Sequence, residues 1–377
     1  MKILQVVPSL NSGGVERCVV EISNYIINNK NSEVFIMSSG GWMQMLFHKK
    51  CHHIKINVAT KNPFKIIKNA NVIKRFCDDN KIDIVHVHSR APAWSCYLAR
   101  KKSNFKLITT VHAAYSTSGI FKKWYNSIML KSDIVITVSD FLKNHIINNY
   151  DTSNIKINVI NRGIELGIFS RNKVSHQRLS ILSSNLRLPD DKFIITVPAR
   201  ISENKGHIYL IQALNMIKYS DYLCVFVGDW NNKAKYKAKL DNMIKKLKME
   251  DKINFTNSIK DMAAMYLMSD LVVLPSIKPE SFGKVIIEAG SMGCVVLTTN
   301  IGNPKDIIIN GINGFLIEPK DPLAMSRKIV DIINSGLHKS AEYKDKVSKY
   351  FAENFDVEKS CHMEYELYKM ISKRDKY

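Results

Sequence analysis

Apolar and polar positions along the chain fall into two alternating periods. Short runs rich in β-branched residues recur, and segments of helical period separate them, the pattern of parallel strands joined by helical crossovers. In the first half strands are expected at Ile3–Val7, Glu33–Met37, Ile82–His88, Lys106–Val111, Ile134–Val138 and Ile157–Ile160. The series then restarts, at Phe193–Val197, Leu223–Val227, Ile253–Phe255, Leu271–Leu274, Val295–Thr298 and Gly314–Ile317. Two successive β/α series, each of about 160 residues, read as two doubly wound domains rather than one very wide sheet. The join falls between Arg162 and Lys192, a polar stretch ending at Pro189-Asp190-Asp191 that reads as a linker. After Pro322 the chain is expected to be helical to its end. The segment Tyr350–Ile371 mixes aromatic and charged residues, so its amphipathic helix must bury a stripe, and a return to the first domain would supply the surface.

Length agrees: 377 residues suit two cores. With 45% hydrophobic, 9% aromatic and 24% charged residues the composition is that of a globular protein, which excludes disorder, collagen and coiled-coil filaments. Charge is the departure. Lys and Arg number 55 against 34 Asp and Glu, giving +21, and a balance that basic points to polyanionic partners: nucleic acid, an anionic membrane surface or a phosphorylated substrate.

Seven scattered cysteines without a C-x-x-C pair fit a reducing compartment, and Cys51-His52-His53 lacks a second ligand cluster at metal spacing. A cytoplasmic protein without a metal site is expected. The opening apolar run Ile3–Val7 meets Pro8 at once, which suits a strand and not a signal peptide, and no apolar stretch of about 18 residues is present to span a bilayer.

Open α/β sheets bind ligands beyond the carboxyl ends of their strands, and four such places carry unusual residues. Asn11-Ser12-Gly13-Gly14-Val15-Glu16-Arg17 follows the first strand and opens a helix. Its glycines permit close backbone approach and the helix start favours an anion, although a plain turn with a cap explains it too. Pro198-Ala199-Arg200-Ile201-Ser202-Glu203-Asn204-Lys205-Gly206-His207 offers a planar fork and a point charge for phosphate, or simply two solvated cations. In the third, Pro275 to Gly290, Glu280 lies in a loop, Ser281 can cap the next helix, and Glu288 is expected about two turns into it. Seven residues separate these carboxylates. Carboxylates accept from vicinal hydroxyls, which suits a ribose and a sugar ring; two exposed helix glutamates are the plainer alternative. The fourth, Ile301-Gly302-Asn303-Pro304-Lys305-Asp306, is a glycine-bearing turn whose amides could meet phosphate, with ordinary loop geometry as competitor.

Together these residues resemble the family-4 retaining glycosyltransferases of GT-B architecture, nearly end to end. The likeness rests on Gly13-Gly14-Val15-Glu16-Arg17, His86-Val87-His88, Thr110-Val111-His112, Val138-Ser139, Ile160-Asn161-Arg162-Gly163-Ile164, Arg200 with Lys205-Gly206, Val227-Gly228-Asp229, and above all the paired glutamates of the Glu280 to Glu288 segment. The resemblance implies two Rossmann-like domains facing across a cleft. Residues 1–170 would bind acceptor, residues 190–350 would bind donor, and a C-terminal helix 351–377 would cross back to complete the first domain. It implies that Glu288 holds the ribose of a nucleotide-diphosphate sugar, Arg200 and Lys205 its diphosphate, and Glu280 the transferred sugar. Phe282 and Gly283 would offer backbone amides, Gly14 would approach the diphosphate from the first domain, and His112 would lie near sugar and acceptor. The loop Thr256-Asn257-Ser258 would flank the base. His112, Arg200, Lys205 and Glu280 would be the catalytic set, without metal or further cofactor, fixed cations stabilising the departing diphosphate in a same-face retaining transfer. His86 and His88 read as packing or hydrogen-bonding residues. Asn303 stands where the family repeats glycine, tolerated because Asn visits the left-handed region.

The expected reaction moves a hexosyl unit to a hydroxyl of a glycan or lipid-linked acceptor in cell-surface polysaccharide or lipopolysaccharide synthesis. Arg100, Lys101, Lys102, Lys106, Phe121, Lys122, Lys123, Trp124 and Tyr125 form a basic and aromatic set suited to an anionic lipid surface, so a peripheral place on the cytoplasmic face of the inner membrane is expected; a solvated helix face is the bland reading. A GT-B-fold nucleotide-sugar epimerase is the alternative. Nucleic acid is not an expected partner, since no recognition module is present and the paired glutamates would repel phosphate.

Overall fold

The structure, a computed structural model, describes residues 1–11, 13–218, 221–231 and 233–372. Ser12 of the first glycine turn and residues 373–377 of the expected closing helix lie outside the described residues. The chain divides into two compact units, Met1–Arg162 with the chain from Val357 onward, and Gly163–Asp356.

The first unit holds a parallel sheet of seven strands: β1 (Lys2–Val6), β2 (Glu33–Ser38), β3 (His52–Lys55), β4 (Ile84–Val87), β5 (Lys106–Val111), β6 (Ile134–Thr137) and β7 (Ile157–Val159), in the order β3-β2-β1-β4-β5-β6-β7. The near-continuous apolar composition of the central strands follows from burial on both faces. β1 and β4 pair in parallel with Ile3 opposite Ile84 and Gln5 opposite His86. Beside Ile3 and Val7, the core takes Val19, Ile22 and Ile26 from the helix Gly14–Asn29 and Cys361, Tyr365, Tyr368 and Ile371 from the helix Val357–Ser372.

The second unit holds six parallel strands: β8 (Phe193–Pro198), β9 (Tyr222–Val227), β10 (Ile253–Thr256), β11 (Leu271–Leu274), β12 (Val295–Thr299) and β13 (Phe315–Ile317), ordered β10-β9-β8-β11-β12-β13. In each unit the winding reverses at one place, between β1 and β4 and between β8 and β11. At such a point successive loops diverge and leave a crevice outside the strand ends.

Several expectations change. β3 was not expected: His52 and His53, read for their metal chemistry, form an edge strand, His52 stacking on Phe35 at 5.3 Å and His53 Nε2 meeting Ser38 Oγ at 2.8 Å. The polar stretch read as a linker contains the helix His176–Leu186, where Leu179, Leu182 and Leu186 pack into the second unit's core and Arg178 grips Asp261 with two nitrogens at 2.7 Å. The closing helix is two helices. Ala341–Asn354 stays with the second unit, Phe351 packed so closely on Gly290 that a Cβ there would lie 2.2 Å from its ring, and Val357–Ser372 joins the first unit. The basic and aromatic set also divides. Lys106 begins β5 and Phe121 to Tyr125 follow its far end, so the strand, roughly 17 Å at about 3.3 Å per residue, separates the two groups.

Candidate functional site

In the second unit the loops leaving β8 and β11 meet at the switch point. Gly206 makes this possible: its φ is +71°, and a Cβ there would lie 1.8 Å from the Pro275 carbonyl oxygen. The Ile277 amide donates to the Asn204 carbonyl at 2.9 Å, and the two loops are strapped together. Lys205, at the end of the short turn Glu203–Lys205, is thereby delivered to Glu280, its Nζ donating to Oε1 at 2.5 Å. Ser276 Oγ donates to the same oxygen at 2.5 Å. Both charged side chains are about one-quarter exposed, 24% and 26%, so the pair is partly desolvated yet open to a ligand. Beneath the loop His207 is buried with its ring edge-on to Phe226 at 5.2 Å, and burial lowers its imidazole to about 4.

The Glu280 backbone is held as firmly. Gly302, at φ +78°, lies against it, a Cβ there meeting the Glu280 carbonyl oxygen at 2.4 Å, and the Asn303 amide donates to that carbonyl at 2.9 Å. Asn303 is itself in right-handed geometry, φ −70° and ψ −23°, which corrects the expectation of a left-handed residue; Gly302 takes the positive φ. The Asn303 amide nitrogen Nδ2 donates to the Phe282 carbonyl at 2.7 Å.

The helix that follows runs Lys284–Ser291, and Gly283, φ +94°, occupies its cap position without a side-chain cap. Ser281 therefore does not cap it, and Glu288 lies one turn in rather than two, because Gly283 delays the helical geometry by two residues. The Phe282 and Gly283 amides donate no hydrogen bond among the described residues, so the start of this helix presents unsatisfied donors. Glu288 is half-buried, and the buried Tyr266 donates to its Oε2 at 3.1 Å. Arg200 is exposed on the loop after β8, without a charged partner among the described residues. Lys205, Glu280 and Ser276 are thus in direct contact, Phe282 and Gly283 adjoin them in the chain, and Glu288 has its own anchor. Neither Ser276 nor Tyr266 was expected; a serine four residues before Glu280 was the available signal for the first.

In the first unit, Gly13 and Gly14 follow β1 and open a helix. A Cβ on Gly14 would meet no atom within 4 Å, whereas one on Gly13 would lie 2.4 Å from Glu16 Oε2. His112 follows β5, half-buried, with Nε2 3.2 Å from His88 Nδ1. Behind it runs a buried polar network. His88 Nε2 meets Gln5 Oε1 at 2.7 Å, Gln5 Nε2 donates to Tyr368 Oη at 3.2 Å, Tyr368 Oη donates to Glu364 Oε1 at 2.7 Å, and Arg162 Nη1 donates to Glu364 Oε2 at 2.8 Å. His86 joins it, with Nδ1 2.5 Å from Tyr368 Oη and Nε2 2.7 Å from Thr110 Oγ1. Burial lowers all three imidazoles, His88 and His112 furthest, with the Arg162 charge acting in the same direction. Burial would raise Glu364, but the Arg162 charge and the bonds from His86 and Tyr368 outweigh it and hold the carboxyl below the usual range. Gln5, Arg162, Glu364 and Tyr368 were not expected as a set; a glutamine inside an apolar strand was the sign in the sequence.

Beyond β5 the short helix Ile120–Asn126 leaves Ile120, Phe121 and Trp124 exposed at 84%, 88% and 58%, beside exposed Lys122 and Lys123. A pocket of about 510 Å³ adjoins it, with Arg90, Lys61 and Lys122 on its wall. No helix of the described residues is long and apolar enough to cross a membrane.

Two family descriptions match the chain, "Glycosyltransferase Family 4" over residues 12–167 and "Glycosyl transferases group 1" over residues 181–352. A crystal structure of a glycosyltransferase from Rickettsia africae ESF-5 is 36% identical, covers 99% of each chain and superposes with a TM-score of 0.89. Anabaena Alr3699/HepE, solved in complex with UDP-glucose, shares the fold at 20% identity, with 97% of this chain and 99% of that one covered and a TM-score of 0.83. The capsular polysaccharide biosynthesis glycosyltransferase CapM of Staphylococcus aureus is 28% identical over 203 residues, 53% of this chain and 52% of the relative. With two parallel Rossmann-like sheets, a last helix packed into the first unit and matches along both halves, the chain belongs to the group 1, family-4 glycosyltransferases, retaining enzymes of GT-B fold.

Proposed function

We propose that the second unit binds a nucleotide-diphosphate sugar and that the chain transfers its hexosyl unit to a hydroxyl of a surface glycan or its lipid-linked precursor. The observation that carries this reading is the Lys205–Glu280 pair at the switch point of the second sheet, beside the unsatisfied amides of Phe282 and Gly283. A cation held by a carboxylate is poised to be shared with a diphosphate, and the carboxylate is then left to accept sugar hydroxyls. Glu288, fixed by Tyr266, is the acceptor assigned to the ribose. Arg200, exposed and without a charged partner among the described residues, is assigned to the diphosphate with Lys205.

As the bond to the leaving phosphate breaks, negative charge grows on the diphosphate. Fixed cations and a helix start stabilise it without reorganising. In the first unit Gly14 is assigned to the diphosphate, because a side chain there would occupy open space, and His112 to the transferred sugar, because its Nδ1 has no partner among the described residues.

The acceptor reading draws on CapM and on the helix Ile120–Asn126. Exposed Ile120, Phe121 and Trp124 beside Lys122 and Lys123 suit an anionic membrane interface on the cytoplasmic side, each cation adding about 1 kcal/mol near the surface. A thermal-shift panel of nucleotide sugars tests donor binding, since bound ligand raises stability in proportion to affinity. Release of nucleoside diphosphate only when a hydroxyl acceptor is present supports transfer; release without acceptor together with an isomerised sugar would mark an epimerase. Binding to anionic liposomes that is lost on Phe121→Ser and Trp124→Ser supports the lipid-linked acceptor, and absence of binding at low salt refutes it.

A further inference from the structure

The buried network of the first unit has a defined direction. Glu364, ionised beside Arg162, can only accept, so the 2.7 Å contact between it and Tyr368 Oη requires the phenol proton to lie between them. With its proton committed, Tyr368 Oη can only accept, and the Gln5 amide must turn its NH2 toward it at 3.2 Å. Gln5 Oε1 then faces His88 Nε2 at 2.7 Å, which must carry that ring's proton. A neutral His88 has one proton, so its Nδ1 is bare, and the 3.2 Å contact to His112 is made by a proton on His112 Nε2. His86 sits on the same logic: its Nδ1–H points at two acceptors, Tyr368 Oη at 2.5 Å and Glu364 Oε1 at 3.3 Å, and its bare Nε2 accepts from the Thr110 hydroxyl.

We infer that Gln5, His88, Tyr368 and Glu364 are positioning residues that fix His112 as its Nε2–H tautomer, leaving Nδ1 as a bare acceptor for a substrate hydroxyl. The chain of bonds starts on the helix Val357–Ser372, crosses β1 at Gln5 and the end of β4 at His88, and ends on the half-buried ring after β5. Burial supports it by keeping the imidazoles neutral, since a protonated His88 would have no bare nitrogen to offer. The opposite tautomer of His112 would present a donor at Nδ1, and a hydroxyl could then be held only by its oxygen. This deepens the reading of His112 as the residue beside the transferred sugar and rests on it for its use.

The experiment does not need that reading. Histidine-selective ¹⁵N labelling of the full chain, free of nucleotide at pH 7.5, resolves the two nitrogens of His112, assigned by their loss in His112→Asn. A bare, pyridine-like Nδ1 and a protonated, pyrrole-like Nε2 are expected. In Gln5→Leu, which removes the acceptor from His88, the two resonances should move toward each other as the tautomers mix. A proton on Nδ1 in the unaltered protein, or an unchanged pattern in folded Gln5→Leu, overturns the inference. If Gln5→Leu does not fold, Tyr368→Phe, which keeps the ring and frees the Gln5 amide, is judged by the same two outcomes. Undiminished sugar transfer by His112→Asn would remove His112 from the site while leaving the tautomer result standing, so the two failures are distinguishable.

Discussion

Lys205 is bonded to Glu280 before any donor arrives, and that sets the size of the effect expected on removing it. A charge-assisted hydrogen bond contributes about 1.5 to 3 kcal/mol, a factor of roughly ten to a hundred in affinity. On the proposed reading a diphosphate would share Lys205 with the Glu280 carboxylate 2.5 Å away, and at about one-quarter exposure the cation is partly screened. Both corrections push Lys205→Ala toward the lower limit, about tenfold weaker binding of a bare nucleoside diphosphate. Glu280→Gln behaves oppositely. It removes the competing charge and keeps the volume, so bare diphosphate should bind equally or more tightly, while the intact nucleotide sugar exchanges a charged two-oxygen acceptor for a neutral amide with one, and transfer falls. The double variant should bind bare diphosphate at least as tightly as Lys205→Ala alone, because the glutamine amide at position 280 no longer repels the phosphates as the unpaired Glu280 carboxylate would.

Titration calorimetry with UDP, ADP and GDP in parallel, on the original chain and the three variants, measures every term. The shared-cation reasoning is refuted if Lys205→Ala binds within about twofold of the original, or if Glu280→Gln weakens the bare diphosphate as much as Lys205→Ala does. Lys205→Ala leaves the Ser276 bond to Glu280 in place, so a lost fold is not expected to confuse the result.

Gly206→Ala should lower the melting temperature by several degrees through about 1 to 3 kcal/mol of strain, because its Cβ would collide with the Pro275 carbonyl, whereas Gly14→Ala should leave stability unchanged and reduce transfer; equal melting temperatures for the two would refute the strapped-loop account. Tyr266→Phe should cost about 0.5 to 1.5 kcal/mol and weaken donor binding severalfold, read by urea unfolding and calorimetry, since it removes the bond to Glu288 and little else. Burial lowers His88, His112 and His207, the last to about 4, so below pH 6.5 the unfolded chain takes up protons that the folded one refuses. Stability held above pH 6.5 should decline as pH falls, by about 1.4 kcal/mol per pH unit for each such imidazole, and Glu364, whose folded value is depressed, adds a further loss below about 4.5; urea midpoints that agree at pH 7.5 and 5.5 would refute this.

The alternation of β-branched runs with helical periods placed twelve of the thirteen strands, because buried parallel strands are written as local apolar runs. β3 escaped for the same reason: at the sheet edge His52 and Lys55 are exposed, and the run His-His-Ile-Lys carries no buried stripe. The helix His176–Leu186 escaped because polar residues outnumber its leucines, although Leu179, Leu182 and Leu186 recur at helical spacing. Glu280, Glu288 and Lys205 were legible since their loops carry glycines and charges in local patterns. Ser276 and Tyr266 join the candidate site through contacts that no such pattern announces, Tyr266 reaching Glu288 across 22 residues from another helix.

The polar network of the first unit lies at the far end of that scale. Gln5 and Tyr368 are 363 residues apart and touch only because the chain leaves the first unit, builds the second and returns at Val357. An i, i+4 pair of Glu364 and Tyr368 on an amphipathic helix reads, taken alone, as two polar positions to be left in water. Both are buried, and the cost of burying them is offset only because Gln5 from β1, His86 from β4 and Arg162 from the loop after β7 meet them. An apolar stripe alone would seat this helix on its neighbours. Placing an ionised carboxylate there instead gives the first unit a fixed electrostatic reference, against which the amide of Gln5 and the rings of His86 and His88 are oriented before any substrate arrives.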